Sequence, residues 1–202
     1  MMRKGNFIWM AIRLGLLFGG IGVYLCLVGM VETFSTRDVI EDVITLGFFL
    51  LVATWAIAGY VAASRTAALV GEGSPFAKLL AGLIAGLMTS VVLSALVLIG
   101  QVVDLRAVFL TASPALYEIL TFGRGLQGLW ILLGVGAVCG AVGAAIFLLP
   151  GRVRRPILIA ILVTVSMSLF AGLISVILTN QGGAIAEASD FLFGATGLTL
   201  QG

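Results

Sequence analysis

Of 202 residues, 61% are hydrophobic and only 10% are charged, against about 45–50% and about 25% in soluble domains. A water-soluble fold would leave much of that apolar surface exposed, so lipid is the expected solvent. The net charge of +2 is small, and the cations sit in clusters between apolar runs rather than along one polar face, which argues against a nucleic-acid partner.

A spanning helix needs roughly 20 mostly apolar residues. Five runs meet that need, at residues 7–31, 43–63, 79–103, 128–149 and 157–179. In lipid each such segment must satisfy its own backbone groups, and these runs are too long for barrel strands. The predicted fold is therefore all-α, a polytopic membrane helix bundle forming a single membrane domain.

The first run follows Arg3 and Lys4, as a signal peptide would. Its uncharged stretch, 14–31, is too long for a typical h-region, and no small-residue cleavage site follows, so it reads as a retained span. Arg13 interrupts it near its basic end, where the side chain can extend towards the headgroups. In "ETFSTRDVIED", residues 32–42, Thr36 is a cap candidate ahead of "RDVIEDVI", which predicts a second helix that begins outside the membrane. "GEGSPFAK" lacks the GK[ST] ending of a phosphate loop and precedes a span rather than following a strand.

The loop 104–127 carries the clearest local signals. Ser113-Pro114 is a helix start with Pro at the first helical position, and Glu118 lies in the early turns. Leu116, Ile119, Leu120 and Phe122 cluster on one helical face, and Gly123 is a stop. A short interfacial helix is expected here, either a lid or docking element or a plain connector.

Charges alternate along the chain. Arg3 and Lys4, then Arg65 and Lys78, then Arg152, Arg154 and Arg155 mark the basic loops, with Glu72 the only acid among them. Glu32, Asp38, Glu41, Asp42, Asp104, Glu118, Glu187 and Asp190 collect in the others, with Arg37, Arg106 and Arg124. The positive-inside rule predicts a cytoplasmic N-terminus and, after five spans, an external Gly202. "FLFGATGLTLQG" has no charge after Asp190 and reads as a turn leading back into the bilayer. The expectation is that 1–202 is the N-terminal part of a longer chain.

Chemistry-bearing constellations are sparse. There is no histidine, which removes Ser–His and Cys–His catalysis, the usual intramembrane zinc sites and a histidine-ligated haem. No carboxylate sits deep in a span to run a proton relay. Cys26 and Cys139 lie in apolar runs and read as small hydrophobes. No enzyme activity, cofactor or metal is expected. Three Gly-x-x-x-Gly pairs, Gly15/Gly19, Gly82/Gly86 and Gly136/Gly140, mark helix-packing faces. The fourth span adds Gly134, Gly143, Ala144 and Ala145, and is expected to be surrounded by other helices. Hydroxyls suggest polar-path candidates: Thr89, Ser90, Ser94 and Gln101 in the third span, and Ser166 and Ser168, with Thr164 and Ser175, in the fifth. Equally, each can bond to its own helix or a neighbour.

Two stretches, "LVGMVETFSTRDVIEDVITLGFFLL" (27–51) and "DLRAVFLTASPALYEILTFG" (104–123), resemble the N-terminal membrane region of bacterial branched-chain amino-acid ABC transporter permeases. The resemblance covers about 45 of the 202 residues. It implies an inner-membrane importer subunit that pairs with another permease subunit, contacts cytoplasmic ATPase subunits, and receives substrate from an external binding protein. The missing phosphate loop agrees with this, since such permeases carry no nucleotide site. No convincing ATPase-coupling helix is present, and no substrate-binding residue carries over. The alternative is a five-span scaffold or accessory subunit of a larger membrane complex, favoured by the small-residue faces.

Overall fold

The apolar runs fold as helices in the computed structural model, which describes residues 5–33, 38–40, 44–70, 74–103, 114–163 and 166. From the N-terminus come α1 (Gly5–Leu27), the single turn α2 (Met30–Thr33), and two short strands, β1 (Asp38–Ile40) and β2 (Ile44–Thr45). Next are α3 (Leu46–Val70), α4 (Pro75–Val102), α5 (Pro114–Thr121), a 3-10 turn (Gly125–Gln127) and α6 (Gly128–Leu148). Residues 151–163 are helical again. Four helices are long and apolar enough to cross a membrane, namely α1, α3, α4 and α6, and this defines a multi-pass membrane protein. The expected fifth span, 157–179, starts in the helix at 151–163; apart from Ser166, its remainder lies outside the described residues. The chain divides into two units, Met1–Pro156 and Ile157–Gly202, and the first contains all four spans.

Helix ends differ from expectation for local reasons. The second long helix does not begin ahead of residue 43. Residues 38–40 are a strand paired antiparallel with β2, with Asp38 opposite Thr45 and Ile40 opposite Ile44, as suits a β-branched run. The helix starts at Leu46 and is capped by Thr45, whose Oγ1 accepts the Phe48 N–H at 3.2 Å; Thr36 lies outside the described residues. At its other end α3 runs past Ala63 to Val70. Ser64 and Thr66 donate to the carbonyls of Val61 and Ala62, each at 2.8 Å, so these polar side chains are satisfied within the helix and do not end it.

α3 and α4 form the central pair. Both pack against α1 and against α6, while α1 and α6 share no packed interface. Facing residues fix the directions. Gly15 meets Ala85 and Met88 while Gly19 meets Val92, so α1 and α4 run the same way. Gly82 meets Ala144 and Gly86 meets Gly136, so α4 and α6 run oppositely. The spans thus alternate. Arg65, Lys78, Arg152, Arg154 and Arg155 fall at one end, and Glu32, Asp38 and Glu118, with Arg124, at the other.

The interior tapers along the same axis. Towards the basic end the buried residues are Ala11, Ala58, Ala62, Ala81 and Ala85. Towards the opposite end they are larger, including Cys26, Val31, Leu51, Trp55, Leu93, Leu96, Val97 and Leu132. α5 completes this wider end. Its Leu116 and Leu120 are fully buried in the same cluster, with Ile119 and Phe122 packed against it. The Phe122 ring stands edge-on to Phe48 at 5.6 Å. The expected short helix is present, and its apolar face is docked on the bundle. It ends as the sequence suggested: Gly123, at φ +67°, donates its N–H to the Glu118 carbonyl at 2.8 Å, closing the helix with a left-handed residue.

Leu120→Ala should lower stability by about 2–4 kcal/mol, the usual cost of a large-to-small change at a fully buried site. Gly123→Ala should cost about 1 kcal/mol, through the left-handed backbone alone. Thermal unfolding of the purified protein in mild detergent, followed by far-UV circular dichroism, tests both.

Candidate functional site

The most constrained feature of the molecule is the meeting of α3, α4 and α6, where backbones approach with only the small side chains of Ala144 and Ser90 between them. A Cβ on Gly59 would strike the Gly140 carbonyl, and one on Gly143 would strike that of Ala56. At Gly82 it would meet Ala144 and, at 2.7 Å, the Gly140 oxygen; at Gly86 it would meet the Gly136 oxygen and, at 2.9 Å, the Gly140 Cα. Gly136 faces the Ser90 hydroxyl and Gly140 faces the Gly82 carbonyl. Such approach requires glycine, and in lipid it provides the dispersion contact and Cα–H···O geometry that hold helices together.

Of the six glycines expected to pack helices, Gly82, Gly86, Gly136 and Gly140 lie in this junction. Gly15 and Gly19 form a second contact, between α1 and α4. A Cβ on Gly15 would lie 2.5 Å from Met88 Cβ and 2.6 Å from the Ala85 oxygen, and one on Gly19 would lie 2.6 Å from Val92 Cβ. Sequence reasoning missed Gly59, which has no glycine four residues away to form the familiar pair. It also expected α6 to be surrounded by neighbours. Instead Trp130, Gly134, Val138, Val142 and Ala145 form an exposed stripe along it, and an added Cβ at Gly134 meets nothing within 4 Å.

The hydroxyl candidates do not gather into one path. Thr89 is buried between α1 and α4, and its Oγ1 donates to the Ala85 carbonyl at 2.9 Å and the Gly15 carbonyl at 3.1 Å. That shared proton ties the two helices at the glycine contact. Ser90 turns towards α6, and Ser94 borders an apolar groove between α4 and α6 with Leu98, Leu129 and Trp130. The Oγ atoms of Ser90 and Ser94 and the Trp55 Nε1 are buried without a hydrogen-bond partner. Gln101 is exposed at the far end of α4, where it lines a cleft of about 320 Å³ with Tyr117, Glu118 and Thr121. Ser166 is exposed, and Ser168, Thr164 and Ser175 lie outside the described residues. Cys26 and Cys139 are free thiols. Among the described residues no group of His, Cys, Asp or Glu could hold a metal.

Family models, curated proteins and solved structures contain no match to this chain. Its chemistry is therefore read from the packing itself. The junction joins helices by close contact of their backbones and small side chains.

Gly140→Leu should disrupt the bundle, because the new side chain meets the α4 backbone at Gly82 and Gly86; forced overpacking costs about 1–3 kcal/mol or more. Gly134→Leu on the exposed stripe should leave it intact. Ser90→Ala should be close to neutral, since it removes a hydroxyl that has no partner to lose. The fraction of protein eluting as one sharp peak after heating, read by size-exclusion chromatography, separates the three.

Proposed function

We propose that this chain belongs to the membrane subunit of an ABC-type importer for branched-chain amino acids, and that its four-helix unit is a packed scaffold rather than the substrate path. The observation that carries this reading is the meeting of the two stretches in which the resemblance lies. Val31 and Leu51 of the first and Leu116 and Leu120 of the second share one buried cluster, and Phe48 packs on Phe122. The described residues of the two stretches are thus in contact with one another. The scaffold role follows from the glycine junction, where touching backbones leave no room for a solute between α3, α4 and α6. In this reading the unit lies in the bacterial inner membrane with its basic end in the cytoplasm. Cytoplasmic ATPase subunits, a second permease subunit and an external binding protein would be its partners.

A second reading, an accessory scaffold of a different membrane complex, is favoured by the same junction, which joins helices whatever the assembly does. Affinity purification of the full protein in mild detergent distinguishes them. The importer reading expects an ATP-hydrolysing subunit in the purified complex and reduced uptake of labelled leucine when the gene is disrupted. A stable complex lacking any ATPase, with leucine uptake unchanged, would replace it with the second.

Orientation has its own test. Alkaline phosphatase fused after Arg124 should be active, and fused after Arg152 inactive, because the enzyme folds only outside the cytoplasm. The reverse pattern would invert the proposed topology.

A further inference from the structure

Arg13 is the deepest of the described charges within the spans. It lies eight residues into α1, about 12 Å along the axis at 1.5 Å per residue. A charge at this depth needs either a counter-ion or water. Its Cζ lies over the Trp9 ring, 5.1 Å from the ring centroid. The one carboxylate whose side chain is among the described ones, Glu118, is in the opposite half of the molecule; Glu72, in the loop between α3 and α4, lies outside the described residues.

Geometry directs the side chain towards the basic end. Cα–Cβ bonds in a helix tilt to its N-terminus, and the N-terminus of α1 is at that end. Trp9, one turn earlier on the same face, is 56% exposed, and Ile8, Leu16 and Leu17 around it are exposed as well. The guanidinium thus lies on the outer, apolar face of α1, steadied by an indole of the kind that settles at headgroup level. Around the same end, Arg65, Arg152 and Arg155 are exposed. Arg154 is engaged with α6, donating from Nη1 to the Phe147 carbonyl at 3.2 Å.

We propose that Arg13 and Trp9 form a binding site for the phosphodiester of an anionic phospholipid of the surrounding bilayer. The phosphate oxygens accept from the guanidinium, whose paired N–H groups match them. Trp9 holds the fork in place, and the exposed apolar residues of α1 pack along the acyl chains. The surrounding cations favour a lipid with net negative charge over a zwitterionic one.

Native mass spectrometry of the full protein in mild detergent, titrated with phosphatidylglycerol or phosphatidylcholine, tests this. The wild type should retain one phosphatidylglycerol more tightly than phosphatidylcholine. Arg13→Gln should raise the apparent dissociation constant of that first lipid about tenfold, and Trp9→Leu about threefold. Arg155→Gln, which removes charge from the same end without touching the site, should leave the first lipid bound as before. Millimolar inorganic phosphate should not displace it, which separates a lipid headgroup from free phosphate. Equal retention by Arg13→Gln, an equal loss on Arg155→Gln, equal binding of both lipids by the wild type, or displacement by phosphate would each overturn the proposal. If Arg13→Gln does not purify as a single species, Arg13→Lys keeps the charge but loses the paired donors, and should weaken the first lipid by a smaller factor. Retention by Arg13→Lys at the wild-type level would then overturn it.

Discussion

The contact of backbone on backbone among Gly59, Gly82, Gly86, Gly136, Gly140 and Gly143 sets the geometry on which the remainder of the bundle depends. Lipid tails are as apolar as leucine, so burial alone gives membrane helices little reason to associate. What remains is close packing and weak polar contact, both strongest where the chains carry no side chain. Once α3, α4 and α6 touch at this point, they can fan apart only beyond it. Towards the basic end the buried residues are alanines of α1, α3 and α4, with Phe7, Leu14, Phe18 and Ile84 packed against them. Towards the other the space widens, and Leu51, Trp55, Leu93 and Leu132 fill it. α5 follows from the same constraint: its Leu116 and Leu120 occupy the wide end that the crossing opens. Gly100 admits Tyr117 there, since a Cβ at that position would strike the phenol hydroxyl.

The location of the spans was legible because length and hydrophobicity alone decide it. The short helix at Pro114–Thr121 was legible because Ser-Pro and Gly mark its two ends. The lipid-facing side of α6 was not, because that helix is apolar on every face and has no polarity to read. Residue size carries part of the information instead. Gly128, Gly136, Gly140, Gly143 and Ala144 face inwards with Leu132, while Trp130, Val138 and Val142 face out with Gly134 and Ala145. In water a buried face is the more apolar one; here it is on balance the smaller one. Gly59 was missed for a related reason. The familiar spacing finds two glycines on one helix, whereas this site is assembled from single positions on separate helices. The start of α3 was misplaced because an acidic, β-branched segment gives helix-cap signals and strand signals together. Pairing of Asp38 with Thr45 and Ile40 with Ile44 depends on residues across a turn, which a local reading of caps does not weigh.

Polar groups inside the bundle divide by what they reach. Thr89 reaches two carbonyls, one on each side of the α1–α4 contact, so it reinforces packing that Gly15 already permits. Arg154 reaches the last turn of α6, where carbonyls lack intrahelical donors, and its guanidinium also lies 5.2 Å from the Phe147 ring centroid. The hydroxyls of Ser90 and Ser94 reach nothing. Their value lies in size, since serine is among the small residues that let membrane helices approach, and Ser90 packs directly on Gly136. A row of hydroxyls in a span is therefore better read first as a row of small residues.

The character of the junction also bears on movement. A gate made of side chains can open by rotamer changes, each involving one residue. At this junction most of the contacting atoms are backbone carbonyls and Cα atoms held in continuous helices, joined by Ala144 Cβ and the Ser90 hydroxyl, and no rotamer can move the backbone atoms. Opening a path between α3, α4 and α6 would require sliding whole helices and breaking all of these contacts together. Packed interfaces respond to such demands by switching as units rather than by deforming gradually. α3, α4 and α6 are accordingly built to move as one body.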